Sequence, residues 1–356
     1  MPSVFLVFVP GMMGTELWTA PARAGKCVWE ESIQTVAHTL LLEPWMLEGH
    51  RILFPGKVFS GLRFGYESLF QFLKSQGYKE GNSFLPFGYD WRQPTSASGV
   101  DLHRALKDQV DRSDSKLVLI GHSMGCLVIR AALSELTKAG ISVAKVIELA
   151  PPHRGSSKAF RQLNQFPNVH PLVDALRAWW LNTFAWIDDA YTLLTRSLSG
   201  LWDLLPPENE DILVPQSVGT PPSYAALHWP GWSSSVEVSG EVPSRRYELY
   251  AELFANGLRG LTIALAIGDK IRTEYEFPFS VTAPFAVNFG AAVGAQNIYL
   301  GDGTVIGESS TWLAGLDPDP NNPGRPNPAH FYAADVDHFG IISHPGVQQW
   351  LLGQIP

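Results

Sequence analysis

The sequence predicts an α/β fold, a mainly parallel sheet covered on both faces by helices, and three observations carry that expectation. Short apolar runs bounded by turn residues recur at Val4–Val9, Ser83–Phe87, Lys116–Ile120, Val143–Leu149 and Leu261–Ile267. They are continuous rather than alternating, as strands buried on both faces are. Helical patterns separate several of them, at Tyr66–Gln76, Val100–Val110 and Met124–Lys138, which gives the strand–helix alternation of a parallel sheet. Finally, the Gly11-Met-Met-Gly14 turn and the turn holding Ser123 both follow strands directly. Both should reach the carboxyl edge of the sheet, where such folds place their ligands.

The chain has 356 residues, long for one ordinary domain but within reach of one α/β domain carrying insertions. Its 45% hydrophobic and 17% charged residues describe a globular protein, and 12 Trp with 19 Phe exceed what a small core requires, so some rings should line a pocket or a lid. A net charge of −8 with no run of lysine or arginine argues against nucleic-acid partners and against adsorption to an anionic membrane. Two cysteines, Cys27 and Cys126, cannot make a disulfide framework. Cys126, in the apolar turn after Ser123, reads as a buried structural thiol. No CxxC or HExxH spacing marks a metal, and no cofactor is implied. The amino terminus, MPSVFLVFVPGMMG, has no basic residue before its apolar run and no small-residue cleavage site, so it reads as a first strand and not a signal peptide. With no stretch of ~18 apolar residues to span a membrane, the expected location is cytoplasmic.

Two regions interrupt the alternation and set the expected domain plan: an α/β core over 1–159 and 233–356, a lid-like insertion near 17–54, and a cap insertion over 160–232. In the first, CVWEESIQTVAHTLLLEPWM is apolar and fits either a helix or a packed lid. In the second, Leu176, Trp180, Phe184, Ile187, Tyr191, Leu194, Leu198 and Leu201 step by threes and fours along one helical face. Gly200 and Pro206 are expected to stop it. That face either packs on the core or meets an apolar substrate or lipid surface. The absence of a positive excess weakens the lipid version. LDPDPNNPGRPNPAH, at 316–330, is expected to be an irregular surface loop.

Gly121-His122-Ser123-Met124-Gly125, between an apolar strand and a helical pattern, matches the GxSxG nucleophile elbow in its required context. Small residues are needed at both ends because the chain reverses sharply. Such an elbow calls for an acid and then a histidine later in the chain. IYLGDGTVIG offers Asp302 in a glycine-flanked turn, and DVDHFGIISHPGV offers His338 and His344. His338 is favoured as the base, because His344 precedes Pro345 and suits a helix start. His122 reads as a supporting packing residue. In the expected roles Asp302 orients His338, His338 takes the Ser123 proton, and Ser123 attacks an ester carbonyl. The oxyanion donors are expected to be the backbone amides of Met124, after the nucleophile, and of Met12, in the Pro-Gly turn.

With those residues in place the chain resembles the lecithin:cholesterol acyltransferase and lysosomal phospholipase A2 family of α/β-hydrolases. The resemblance rests on FVPGMMGTELW, FGYDWRQP, GHSMGCLV, LAPPHRGSS, GDGTV and DHFGI, in this order. It implies an α/β-hydrolase fold with a helical, Trp-rich cap or lid, Ser123, Asp302 and His338 as triad, and an oxyanion hole from Met12 and Met124. It also implies that CVWEESIQTVAHTLLLE serves as a lipid-engaging lid, with transient contact to a lipid surface through cap or lid. Two departures stand out. The relatives are secreted or lysosomal and close a disulfide near the position of Cys27, which has no partner nearby. His153 and Arg154 also stand where the family has a smaller or aromatic stretch. The expected function is a serine esterase or lipase acting on an apolar ester through an acyl-Ser123 intermediate. Acyl transfer to an alcohol, sterol or amine is the alternative, and a non-catalytic binder of the same fold a distant third. Oligomeric state is not legible in the sequence.

Overall fold

The computed structural model describes residues 4–19, 47–52, 58–59, 62–63, 66–110, 116–156, 158–159, 199–205, 213–215, 263–268, 270–273, 277–282, 286–289, 299–311, 318–319, 322–326 and 331–356. Six strands form its main sheet: β1 (Val4–Val9), β2 (Phe84–Pro86), β3 (Lys116–His122), β4 (Val143–Leu149), β5 (Ile263–Gly268) and β6 (Phe331–Ala334). Every neighbouring pair is parallel, in the order β2-β1-β3-β4-β5-β6. Five of these six match the apolar runs of the sequence. β6 does not stand out there, because FYAA is too short to carry a pattern.

The helices in chain order are α1 (Glu67–Ser75), α2 (Thr95–Val110), α3 (Met124–Lys138), α4 (Ser199–Trp202), α5 (Gly307–Thr311), α6 (Gly340–Ser343) and α7 (Pro345–Gln354). Leu6 and Phe8 of β1 join Val118 and Ile120 of β3 in a buried cluster with Leu69, Phe70 and Leu73 of α1 and Val347 and Leu351 of α7. The helix pair α2–α3 packs together, and α3 lies against β1, β3 and β4, so the alternate side chains of the strands are covered too. Each Leu, Ile or Phe so buried stabilises the fold by about 1.5–3 kcal/mol relative to exposure.

Helix α2 begins at Thr95, earlier than the expected Val100, because its first turn is capped from a distant part of the chain. Asp203 Oδ2 accepts from Thr95 N at 2.6 Å and from Thr95 Oγ1 at 2.8 Å. Helix α7 begins where the His344-Pro345 pair suggested: His344 is its N-cap, with Nδ1 accepting from Val347 N at 3.3 Å.

Gly200 is not the helix stop that the sequence suggested. It lies inside α4, where its N–H donates to Arg92 O at 3.0 Å. A Cβ there would overlap the carbonyl oxygen of Trp91, so this glycine marks a close approach of two backbones. Nor is 316–330 wholly irregular, since Pro318–Asp319 pairs antiparallel with Asn322–Pro326. The Asp, Pro and Asn residues that signal a loop also close a short hairpin. Thr15–Thr19 pairs antiparallel with Leu47–Ile52 and so joins the two ends of the region expected to be lid-like. CVWEESIQTVAHTLLLEPWM itself, with Cys27, and the tryptophan-rich stripe before Ser199 lie outside the described residues.

The strand order fixes where a site can be built. The chain runs from β1 to β2 on one side, then crosses to β3 on the other, so the order reverses between β1 and β3. The crevice at such a switch point, outside the carboxyl ends of the strands, is where open α/β sheets bind ligands.

Candidate active site

At that switch point β1 and β3 run in register up to Val9 opposite Gly121. β3 then delivers Ser123 into a turn with φ of 53°, a left-handed backbone that an L-residue adopts only under strain. The turn is tight enough to exclude side chains at its ends. A Cβ on Gly125 would overlap the carbonyl of Val9, and one on Gly121 would stand 2.9 Å from the Cys126 backbone. Ser123 N donates to Leu149 O at 2.9 Å, which ties the elbow to β4. Cys126 is buried and free, and burial, chiefly, pushes its pKa well above the usual thiol value. It is a buried packing thiol, as expected.

Ser123 Oγ lies 2.8 Å from His338 Nε2, and His338 Nδ1 lies 2.7 Å from Asp302 Oδ2. Asp302 is doubly tied: Oδ1 accepts from Thr304 N at 2.9 Å and Val305 N at 2.7 Å, and its carbonyl accepts from His338 N at 3.0 Å. Burial works to raise the Asp302 pKa, but the electrostatic interaction with His338, the hydrogen bond to it and the two amides outweigh it and hold the carboxyl below its usual range. An ionised Asp302 accepts the Nδ1 proton, which leaves the Nε2 lone pair facing the serine hydroxyl.

Asp302 lies in the glycine-flanked turn that the sequence indicated, at the end of a short strand. Its strand, Tyr299–Gly301, is not in the main sheet but pairs antiparallel with Ile271–Thr273, which closely follows β5. The three-residue partner is too short to be read from sequence.

Met124 is the first residue of α3, where a helix leaves its amides without intrahelical acceptors. Met12 and Met13 stand in the turn closed by Gly14 N donating to Gly11 O at 3.0 Å, and both border the same cleft as Ser123 and His338. His344, the histidine passed over, caps α7.

The profile of the lecithin:cholesterol acyltransferase family matches residues 51–170, a span that includes the whole serine elbow. The chain has the α/β-hydrolase fold, and over that span it is similar to the lecithin:cholesterol acyltransferase family. A chain of the Tle4–Tli4 complex shares its fold with a TM-score of 0.59, over 98% of this chain and 97% of that one, at 14% identity. The mature lipase BlEst2 of Bacillus licheniformis gives a TM-score of 0.44 over 96% of this chain and 86% of its own, at 13% identity. No curated protein sequence matches the chain.

In this α/β-hydrolase fold the row from Ser123 to Asp302 opens on a cleft of about 320 Å³, within the range of small-molecule sites. Leu201 and Leu204, Ala159, Pro152, Ile271 and Phe339 form apolar wall. Phe339 is 46% exposed, beside His338, whose ring it meets edge-on at 5.7 Å. Leu201 and Leu204 come from α4 and the turn after it, which Asp203 and Gly200 fasten to the core. Among the described residues no group of three or more His, Cys, Asp or Glu is placed to share a metal ion, and no helix is long and apolar enough to cross a membrane.

Sequence reasoning missed two buried polar groupings near the elbow. Arg130 of α3 makes a bidentate pair with Glu148 of β4, Nε to Oε1 at 2.6 Å and Nη2 to Oε2 at 2.7 Å. His153 Nε2 lies 3.0 Å from Glu148 Oε2, and its Nδ1 lies 2.9 Å from Ser310 O. Burial opposes ionisation of Glu148, yet Arg130 and then His153 hold its pKa down at about 2. A signal existed, since a glutamate inside the apolar run VAKVIEL needs a buried partner. The second grouping, Tyr66 with His122, left no signal, because a tyrosine ahead of a helix belongs to no motif.

Proposed function

We propose that the protein is a serine hydrolase that cleaves a carboxylic ester with an apolar acyl group, of the lipid-ester kind. The observation that carries this reading is the unbroken row Ser123–His338–Asp302, with its tautomer set by an ionised Asp302, at the mouth of an apolar cleft. In the proposed cycle His338 Nε2 takes the Ser123 hydroxyl proton as Oγ bonds to the ester carbonyl carbon. The oxyanion is held by the backbone N–H groups of Met12 and Met124. Collapse breaks the bond to the leaving alcohol, which departs with the proton from His338. Water then attacks acyl-Ser123 with His338 again as base, the acid leaves, and the serine regains its proton. The fold of the matched structures and the acyltransferase profile are consistent with this chemistry. That profile also supports a second reading, in which an alcohol replaces water in the last step and an ester leaves instead of an acid.

A fluorophosphonate probe with a short-chain ester assay tests the proposal. The wild type is expected to label and turn over, and Ser123→Ala to lose labelling and to fall by several orders of magnitude in kcat. Absence of labelling in the wild type would sink the reading in favour of a non-catalytic binder. Products analysed with and without added alcohol separate the two outcomes, since only transfer yields a new ester.

A further inference from the structure

Two side chains behind the row make contacts that fit neither packing nor chemistry alone. Gly11 N donates to Tyr66 Oη at 2.9 Å. Tyr66 Oη lies 3.0 Å from His122 Nδ1, and His122 Nε2 lies 2.9 Å from the carbonyl oxygen of His338. The direction of each bond follows from what the ends can do. The carbonyl of His338 only accepts, so His122 carries its proton on Nε2 and donates there. Nδ1 of the neutral ring is then an acceptor, and the Tyr66 hydroxyl donates to it while accepting from Gly11. Every hydrogen in the chain points one way, from the oxyanion turn to the backbone of His338. Burial, foremost, and the unfavourable electrostatics of a second proton so close to His338 keep His122 neutral, with its pKa pushed down to about 3. The neutral form that the geometry requires is therefore the form present. Tyr66 is 4% exposed and His122 fully buried, so water does not compete for these bonds.

We propose that Tyr66 and His122 are positioning residues that lock the oxyanion turn of β1 to the backbone of His338 through this directed relay. The proposal rests on reading Ser123 as the nucleophile. Gly11 directly precedes Met12, so the Tyr66 hydroxyl sets the plane from which the Met12 amide is aimed. At the other end the His122 N–H fixes the carbonyl of the residue whose ring takes the serine proton. The two parts of the site come from segments far apart in the chain. This relay joins them through His122, itself a residue of the elbow. Such a link acts on geometry at the transition state and not on substrate binding, and an error of about 1 Å in such a site can cost on the order of 100-fold in rate.

The experiment is steady-state ester kinetics and fluorophosphonate labelling of the full chain as wild type, Tyr66→Phe, His122→Phe, His122→Gln and Tyr66→Phe/His122→Phe, each with a melting midpoint. Tyr66→Phe is expected to lower kcat by about 10- to 100-fold with KM changed less than about twofold, and to stay folded with a melting midpoint a few degrees lower, since Gly11 N and His122 Nδ1 lose a buried partner. His122→Gln, which keeps an N–H donor where Nε2 stood, should recover at least about tenfold of what His122→Phe loses. The double variant should be no slower than the slower single one, since the relay is already broken. A wild-type kcat in Tyr66→Phe, losses that multiply in the double variant, no rescue by glutamine, or a loss that tracks the melting midpoint would each overturn the relay. If Tyr66→Phe does not fold, the two His122 variants still decide. A wild type that neither labels nor turns over would instead remove the nucleophile reading, an outcome distinct from failure of the relay.

Discussion

His122 shows how one buried ring ties stability to pH. Its pKa is about 3 in the folded protein, whereas an unfolded histidine titrates near 6.5. Between these values the unfolded chain holds the extra proton. The stability due to this neutral ring is therefore full above about pH 6.5 and falls as pH drops toward about 3, by about 1.4 kcal/mol per unit. His153, whose pKa burial also lowers against the pull of Glu148, adds to the same window. The lowered Asp302 and Glu148 values act the same way further down, where unfolded carboxylates begin to take up protons. Urea unfolding between about pH 7 and about pH 5 should show stability falling with acid, and His122→Gln should show a slope shallower by about one proton. An unchanged slope in that variant would refute the assignment. Of this site the sequence displayed Ser123, Asp302 and His338, because an elbow, a glycine-flanked turn and a late histidine each leave a local mark. Tyr66 left none. Its hydroxyl finds its partners 55 and 56 positions away, and only tertiary packing creates that pairing.

Among the elements, the agreement with sequence is closest where one periodicity governs a whole segment. Val4–Val9, Val143–Leu149 and Met124–Lys138 have the expected bounds, since each is an apolar segment that is largely buried. α2 departs at its start because Asp203 supplies a cap that its own sequence lacks. That cap fastens α4 and the cleft wall at Leu201 and Leu204 to the core. Asp203→Ala removes the acceptor of two hydrogen bonds to a buried helix start and should destabilise the protein by about 1.5–3 kcal/mol in chemical unfolding. A cost below about 0.5 kcal/mol would mean that the cap is replaced by water. The Arg130–Glu148 pair behaves differently, since both groups are buried and each depends on the other. Glu148→Leu strands a guanidinium in the interior and is expected to cost about 3–5 kcal/mol. A melting midpoint equal to the wild type would show that the pair contributes little.

For the molecule as a whole, chain order and site order are linked through the sheet. β1 and β3 end side by side because the topology reverses there, so the turn after one and the elbow after the other meet without further instruction. Asp302 and His338 are delivered from the other end of the sheet, by the ladder after β5 and the loop after β6. The alternation of apolar runs with helical patterns made an α/β architecture legible, but not the strand order, since nothing in an apolar run names its neighbour. The parallel ladder that sets Val9 opposite Gly121 also decides which accidents of inheritance the gene can survive. Deleting one residue from Val4–Val9 would slide the first strand by about 3.3 Å and turn its buried faces inside out. The turn that carries Met12 would shift relative to the elbow even though no side chain of the Ser123–His338–Asp302 row had changed. Length changes should therefore be excluded from this strand as strictly as substitutions are from Ser123, and frame-preserving insertions in the gene should collect in the connections away from it.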